Sequence, residues 1–237
     1  MKRSHLLLIA APLLALAATG VTSKIKFQEV GAKSGTRVNH HTRRFAGPHG
    51  DVLRMFTSGG AAVAVGDYDG DGFDDLFVTD SDAGKTSHLF HNNGDMTFTE
   101  VTAKAGVGGG NDPKSIVADA LWFDYDNDGL LDLFVSNYVQ WNPLKEKPCG
   151  PPEHRLYCHP DNYGGTPNQL FHNNGDGTFT DVSQSSGIAS HIGKGMGVSF
   201  ADFDGDGFTD VFVANDSMRN FLFRNKGNGK FEEVGLP

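Results

Sequence analysis

Three nine-residue loops share one carboxylate spacing, and each is followed by an apolar strand and then by a glycine-centred hairpin. Together these features predict an all-β chain built from repeated four-stranded antiparallel units. The loops are Asp67-Tyr-Asp-Gly-Asp-Gly-Phe-Asp-Asp75, Asp124-Tyr-Asp-Asn-Asp-Gly-Leu-Leu-Asp132 and Asp202-Phe-Asp-Gly-Asp-Gly-Phe-Thr-Asp210. The runs on either side are short, apolar and β-prone, with no helical period. One such unit cannot bury both of its faces. Radial stacking of four-stranded sheets solves that problem, and the architecture expected is a β-propeller.

The elements follow in order along the chain. Residues 1–20 read as a secretory signal: Lys2, Arg3 and His5 precede an apolar run from Leu6 to Ala18, and Ala18-Thr-Gly20 offers small residues for cleavage. The run is too short to span a bilayer comfortably, so no transmembrane segment is expected beyond the signal. Residues 21–237 then form one propeller domain. Lys26-Phe-Gln-Glu-Val30 matches the last strand of later units (Thr97-Phe-Thr-Glu-Val101 and Thr178-Phe-Thr-Asp-Val182) and is expected as a lone outer strand.

Three full blades are expected over about residues 60–102, 116–183 and 195–234. Their first strands are Ala61–Val65, Ala118–Phe123 and Met196–Ala201, and their closing hairpins span Leu89–Phe98, Leu170–Phe179 and Leu222–Phe231. Asn-Gly-Asp-Gly centres between apolar strands are a strong hairpin signal. Phe90, Phe98, Phe171, Phe179, Phe223 and Phe231 recur at fixed positions and are assigned to the core, as is Trp122; Trp141 is read as a loop anchor.

The loops carry the clearest chemistry. Asp stands at positions 1, 3, 5 and 9 of each: Asp67, Asp69, Asp71 and Asp75; Asp124, Asp126, Asp128 and Asp132; Asp202, Asp204, Asp206 and Asp210. Position 7 (Phe73, Leu130, Phe208) can add a backbone carbonyl. Oxygen ligands without Cys or His suit a hard divalent cation, and calcium is the occupant expected at about three sites. An EF-hand is excluded, because its loop closes with Glu at position 12 and runs into a helix. Position 12 here is Val78, Val135 and Val213, each inside a β-prone run.

Composition agrees. The formal net charge of −9 comes largely from these loops, which hold twelve of the 29 acidic residues. The acidity is mostly a metal-site signature and not evidence of a basic partner, and no nucleic-acid partner is expected. The two cysteines, Cys149 and Cys158, would pair in an oxidising compartment. No Gly-x-Ser-x-Gly, phosphate-binding loop or His-Glu-x-x-His is present, so no catalytic residue is assigned. His91 and His172 occupy equivalent hairpin positions where the third copy has Arg224, and this interchange suggests a structural or exposed role.

The loops, the Leu-Phe-(His/Arg)-Asn hairpins and the Phe-Thr-(Glu/Asp)-Val strands resemble the FG-GAP/VCBS repeats of integrin α-chain propellers. They are similar also to those of the cartilage acidic protein-like (ASPIC/UnbV-associated) secreted proteins. The likeness spans roughly residues 60–234. It implies a secreted or periplasmic, non-enzymatic, calcium-rigidified module that binds an extracellular protein or glycan. The alternative is an accessory propeller of a larger secreted hydrolase or lyase. It also implies that Lys26–Val30 lends its strand to a last blade, and that the chain is the N-terminal part of a larger ring. A basic stretch at residues 31–59, with Lys33, Arg37, Arg43, Arg44 and Arg54 against Asp51, points to an anionic partner on the side away from the acidic loops.

Overall fold

A computed structural model describes residues 26–36, 38, 62–80, 86–109, 115–142 and 148–236. The chain divides into two units after Val30, and all the sheets belong to the one that begins at Gly31. Three four-stranded antiparallel sheets dominate. Sheet 1 contains β1 (Val63–Gly66), β2 (Asp75–Val78), β3 (His88–Asn92) and β4 (Phe98–Glu100). Sheet 2 contains β5 (Ser115–Phe123), β6 (Asp132–Gln140), β8 (Gln169–Asn173) and β9 (Phe179–Asp181). Sheet 3 contains β11 (Gly195–Ala201), β12 (Asp210–Asn215), β13 (Phe221–Asn225) and β14 (Phe231–Glu233). In each, sequence order is also spatial order. Every acidic loop therefore joins the first two strands, at the same end as the hairpin turn joining the last two.

The pleat sends alternate residues to opposite neighbours. One core lies between sheets 1 and 2, where Tyr68, Phe77 and Leu89 meet Trp122, Leu133, Val135, Phe171 and Phe179. A second lies between sheets 2 and 3, and the same repeat positions build it: Tyr125, Phe134 and Leu170 meet Val211, Val213, Phe223 and Phe231. Sheet 2 is covered on both faces, so β6 is buried almost throughout, whereas β2 of sheet 1 alternates. The outward faces keep apolar residues in contact with solvent. Val63 and Val65 on sheet 1 are 55% and 56% exposed, and Phe203 in the acidic loop of sheet 3 is 54% exposed.

A one-turn helix follows the last strand of sheets 1 and 2, at Thr102–Ala105 and Ser183–Ser186. Its first hydroxyl accepts the N–H of Leu89 or Leu170, 2.8 or 2.9 Å away, and so ties the turn to its own sheet. The closing glycine lies against the next sheet. A Cβ on Gly187 would come within 3.1 Å of the Phe231 carbonyl, and one on Gly106 within 3.6 Å of that of Phe179. The helix Gly31–Ser34 repeats this arrangement ahead of sheet 1, with Gly35 placed 2.7 Å by the same measure from the Phe98 carbonyl.

Lys26–Val30 forms no strand, and Phe27 is exposed. An outer strand exists only as the edge of a ladder, and β4, β9 and β14 already fill that place in the three described sheets. The signal segment, Arg37, Arg43, Arg44 and Arg54 lie outside the described residues.

The long connection between β6 and β8 is held at its root by Trp141, which is buried with Ile116 and Val139. The Cys149–Cys158 disulfide closes its outer part. A two-residue pairing of β7 (Thr166–Pro167) with β10 (Ile192–Gly193) fastens its far end. No helix among the described residues is long and apolar enough to cross a membrane.

Candidate metal centres

The first aspartate of each loop shapes it. Asp67 Oδ1 accepts the N–H groups of Gly70 and Asp71 at 2.8 and 3.1 Å, and Oδ2 accepts that of Gly72 at 2.9 Å. Asp202 does the same with Gly205, Asp206 and Gly207 at 2.7, 3.1 and 2.9 Å. Asp124 accepts from Asp128 and Gly129 at 3.2 and 2.9 Å. Winding the chain around one carboxylate demands left-handed backbone at position 6, where Gly72, Gly129 and Gly207 have φ of 91°, 89° and 89°. The fifth residue then accepts the N–H of the seventh, at 2.8 to 2.9 Å in all three loops.

The side chain at position 7 points away to the hairpin. A Cβ on Gly94 would come within 2.7 Å of the Phe73 ring, and one on Gly227 within 2.5 Å of the Phe208 ring. Each acidic loop is thus seated on the turn beside it. Loops 2 and 3 also touch, since Asn127 Nδ2 donates to the Gly207 carbonyl at 3.0 Å.

The ninth residue is the buried one. Asp75 and Asp132 are fully buried and Asp210 nearly so. Each takes two backbone N–H groups, one from position 2 of its loop and one from the Asn closing the third strand. Asp75 accepts from Tyr68 and Asn92 at 3.2 and 2.7 Å. Asp132 accepts from Tyr125 and Asn173 at 3.1 and 2.8 Å, and Asp210 from Phe203 and Asn225 at 2.9 and 2.7 Å. Burial still dominates: it pushes Asp75 up to about 6 and Asp132 up to about 7, against these hydrogen bonds, with Asp69 and Asp126 adding repulsion. A carboxylate so placed holds either a proton or a nearby cation.

Ligand atoms from Asp67, Asp69 and Asp75 lie within 4.8 Å of one another, as do those of Asp124, Asp126 and Asp128, and of Asp202, Asp204 and Asp206. The structure brings the predicted carboxylates together at three places. It also places beside them three hairpin side chains for which the sequence suggested a structural or exposed role and not ligation, and His91 and His172 group with the loop carboxylates. His91 Nδ1 lies 3.1 Å from Asp69 and 3.4 Å from Asp75, and His172 Nδ1 lies 3.4 Å from Asp126 and 3.2 Å from Asp132. Arg224 Nε sits 2.6 Å from Asp204. The signal for them was positional: the third strand of each sheet returns beside the loop, and its fourth residue faces the carboxylates.

Donor chemistry fits a hard cation, because oxygen predominates and several polar atoms are left over. Asp126 Oδ1 and the Nδ1 atoms of His91 and His172 are buried and lack a partner in hydrogen-bond geometry.

Known proteins resemble the chain at two levels. Human cartilage acidic protein 1 is 38% identical over 85 residues, which cover 35% of this chain and 12% of that protein. The protein of the same name from Xenopus tropicalis is 42% identical over 82 residues, again 12% of its length. The match therefore spans only a small part of these relatives. A solved structure of an Agrocybe aegerita lectin, titled for recognition of non-reducing terminal N-acetylglucosamine, aligns with 77% of this chain and 39% of its own. Its TM-score of 0.38 and 18% identity are too low to bear on fold or ligand. The model of the FG-GAP-like repeat matches residues 67–135, 156–213 and 202–237, more than half of the chain and all three acidic loops. Loops, hairpins and sheets thus recur in one register because this chain belongs to the FG-GAP-like repeat family.

Proposed function

We propose that this chain is a calcium-stabilised propeller module that works outside the cell as a non-enzymatic binder of protein or glycan surfaces. The observation carrying this reading is the threefold recurrence of a buried position-9 aspartate beside converging carboxylates, each tied by backbone to the next strand. Asp67, Asp69, Asp71 and Asp75, with their counterparts in loops 2 and 3, would hold the ions, joined by the carbonyls of Phe73, Leu130 and Phe208. Bound calcium supplies positive charge where four carboxylates otherwise repel. Extracellular modules of this chemistry bind at about 10⁻⁴ to 10⁻³ M, which suits an exported protein, as does the disulfide.

Radial stacking accounts for the sheets. The helix and glycine that follow the last strand of sheets 1 and 2 also precede sheet 1, which supports a further sheet on that side. Recognition is assigned to the end opposite the acidic loops. There the connection between β6 and β8 exposes Leu156 and Tyr157 on a disulfide-closed tip. Arg37, Arg43, Arg44 and Arg54 belong to the proposal for an anionic partner, whose binding should weaken with salt and on replacing Arg43 and Arg44 by Ala. For calcium, the test is a titration in which Asp69→Ala, Asp126→Ala and Asp204→Ala each remove about one site. Unaltered uptake in all three variants would refute the ligand assignment.

A further inference from the structure

The three loops carry the same carboxylates but differ in what stands over them. In loops 1 and 2 an imidazole does, with Nδ1 3.1 Å from Asp69 and 3.4 Å from Asp126 but outside hydrogen-bond geometry. In loop 3 it is a guanidinium: Arg224 Nε lies 2.6 Å from Asp204 and a terminal nitrogen 3.9 Å from Asp206. The partner across the hairpin changes too. His91 and His172 face Thr99 and Thr180, whereas Arg224 faces Glu232.

The chemistry of the two side chains is not alike. Imidazole keeps a nitrogen lone pair and can itself join a cation's ligands, as the grouping of His91 and His172 with the loop carboxylates allows. Guanidinium is always charged, has only donors and forms short, strong bonds to carboxylates. Asp204 and Asp206 are also the third- and fifth-position carboxylates that an ion in loop 3 would use. We propose that Arg224 is a tethered cation competing with calcium at the third loop, so that this chain has two tight calcium sites and one weak one. The inference rests on the calcium reading above.

Entry of an ion into loop 3 requires Arg224 to release both aspartates and to tolerate a divalent charge nearby. Glu232, already 2.9 Å from Lys226, gives the displaced guanidinium a second carboxylate. Loops 1 and 2 contain no such competitor among the described residues. Loop 3 should also hold its shape best when calcium is withdrawn, since its negative charge stays partly neutralised.

Calorimetric titration of the full chain with calcium tests this. Wild type should show two tight steps and a third weaker by about tenfold or more, equivalent to about 1.4 kcal/mol. Asp204→Ala should delete the weak step alone. Arg224→His should give three tight steps, and His172→Arg should leave only one. Should Arg224→His fail to fold, Arg224→Gln removes the same charge and must likewise strengthen the third step. Three equivalent sites in wild type, or a third step indifferent to Arg224, would overturn the inference and leave the calcium reading standing. No uptake by wild type or by either Arg224 variant would overturn both.

Discussion

Asn173 Nδ2 donates to the carbonyl of Tyr68 at 2.7 Å, joining sheet 2 to the acidic loop of sheet 1 across 105 residues of chain. The same amide donates to the Leu131 carbonyl within its own sheet at 3.0 Å. Asn225 repeats both contacts, with Tyr125 at 2.7 Å and Thr209 at 3.1 Å. Among the described residues, the Asn92 amide has only the contact to its own sheet, to the Asp74 carbonyl at 3.0 Å, and that one is exposed. Loops 1 and 2 are thus each latched to the following sheet by an asparagine side chain.

Removing a latch should weaken the junction it serves. Asn173→Ala and Asn225→Ala each strand two carbonyls, at about 1–3 kcal/mol per buried unsatisfied group. We expect losses of about 2–4 kcal/mol for these variants and less than about 1 kcal/mol for Asn92→Ala, read from denaturant unfolding. Equal losses at all three positions would mean that the contact between sheets does not matter.

The residue at loop position 2 gives a parallel contrast. Tyr68 and Tyr125 are buried against the next sheet, Tyr68 stacked 5.8 Å from Trp122, while Phe203 is largely exposed. Tyr68→Ala or Tyr125→Ala should cost about 3–5 kcal/mol, in the range for deleting a buried aromatic. Phe203→Ala should change stability by about 0.5 kcal/mol or less. A large loss at Phe203 would show that its face is covered.

The hydrogen bond between neighbouring loops comes from Asn127, whose backbone is left-handed at φ 62° and whose amide reaches Gly207. Asn127→Gly should be close to neutral for stability, since glycine adopts that angle freely. It should nonetheless abolish any effect of filling loop 2 on loop 3, measured by titrating the variant beside Asp204→Ala. Unchanged step-to-step dependence would show that the loops communicate otherwise or not at all.

Reducing the Cys149–Cys158 disulfide frees a short loop, worth at most about 3 kcal/mol by chain entropy. Neither cysteine belongs to the cores between the sheets. Protease cleavage within the tip should therefore speed up on reduction, while the main melting transition moves by a few degrees at most. Collapse of the whole fold on reduction would contradict that separation.

Much of this was legible because it repeats. The loop carboxylates, the strands beside them and the Phe positions of the core each appear three times, and repetition fixes register without any contact being known. What escaped was either too short to show a period or too distant along the chain. The helices at Thr102–Ala105 and Ser183–Ser186 are single turns, below the span over which a 3.6-residue pattern shows. Pairing of Thr166–Pro167 with Ile192–Gly193 rests on close approach of two glycine-bearing backbones, and no side-chain pattern marks it. The Asn173 latch joins residues in different repeats, where sequence spacing carries no information. Lys26–Val30 carries the strand pattern yet forms no strand here, since a matching pattern alone does not supply a ladder to join.

Thermal melting of the full chain, with calcium at several times its dissociation constant and again after chelation, tests the central claim most directly. Each site filled at about tenfold excess over its dissociation constant adds about 1.4 kcal/mol. Two or three such sites should raise the midpoint by several degrees, at about 2–4 °C per kcal/mol for a domain of this size. The account predicts one cooperative transition that falls on chelation and recovers when calcium is restored. Superimposable melts with calcium and with chelator would contradict it.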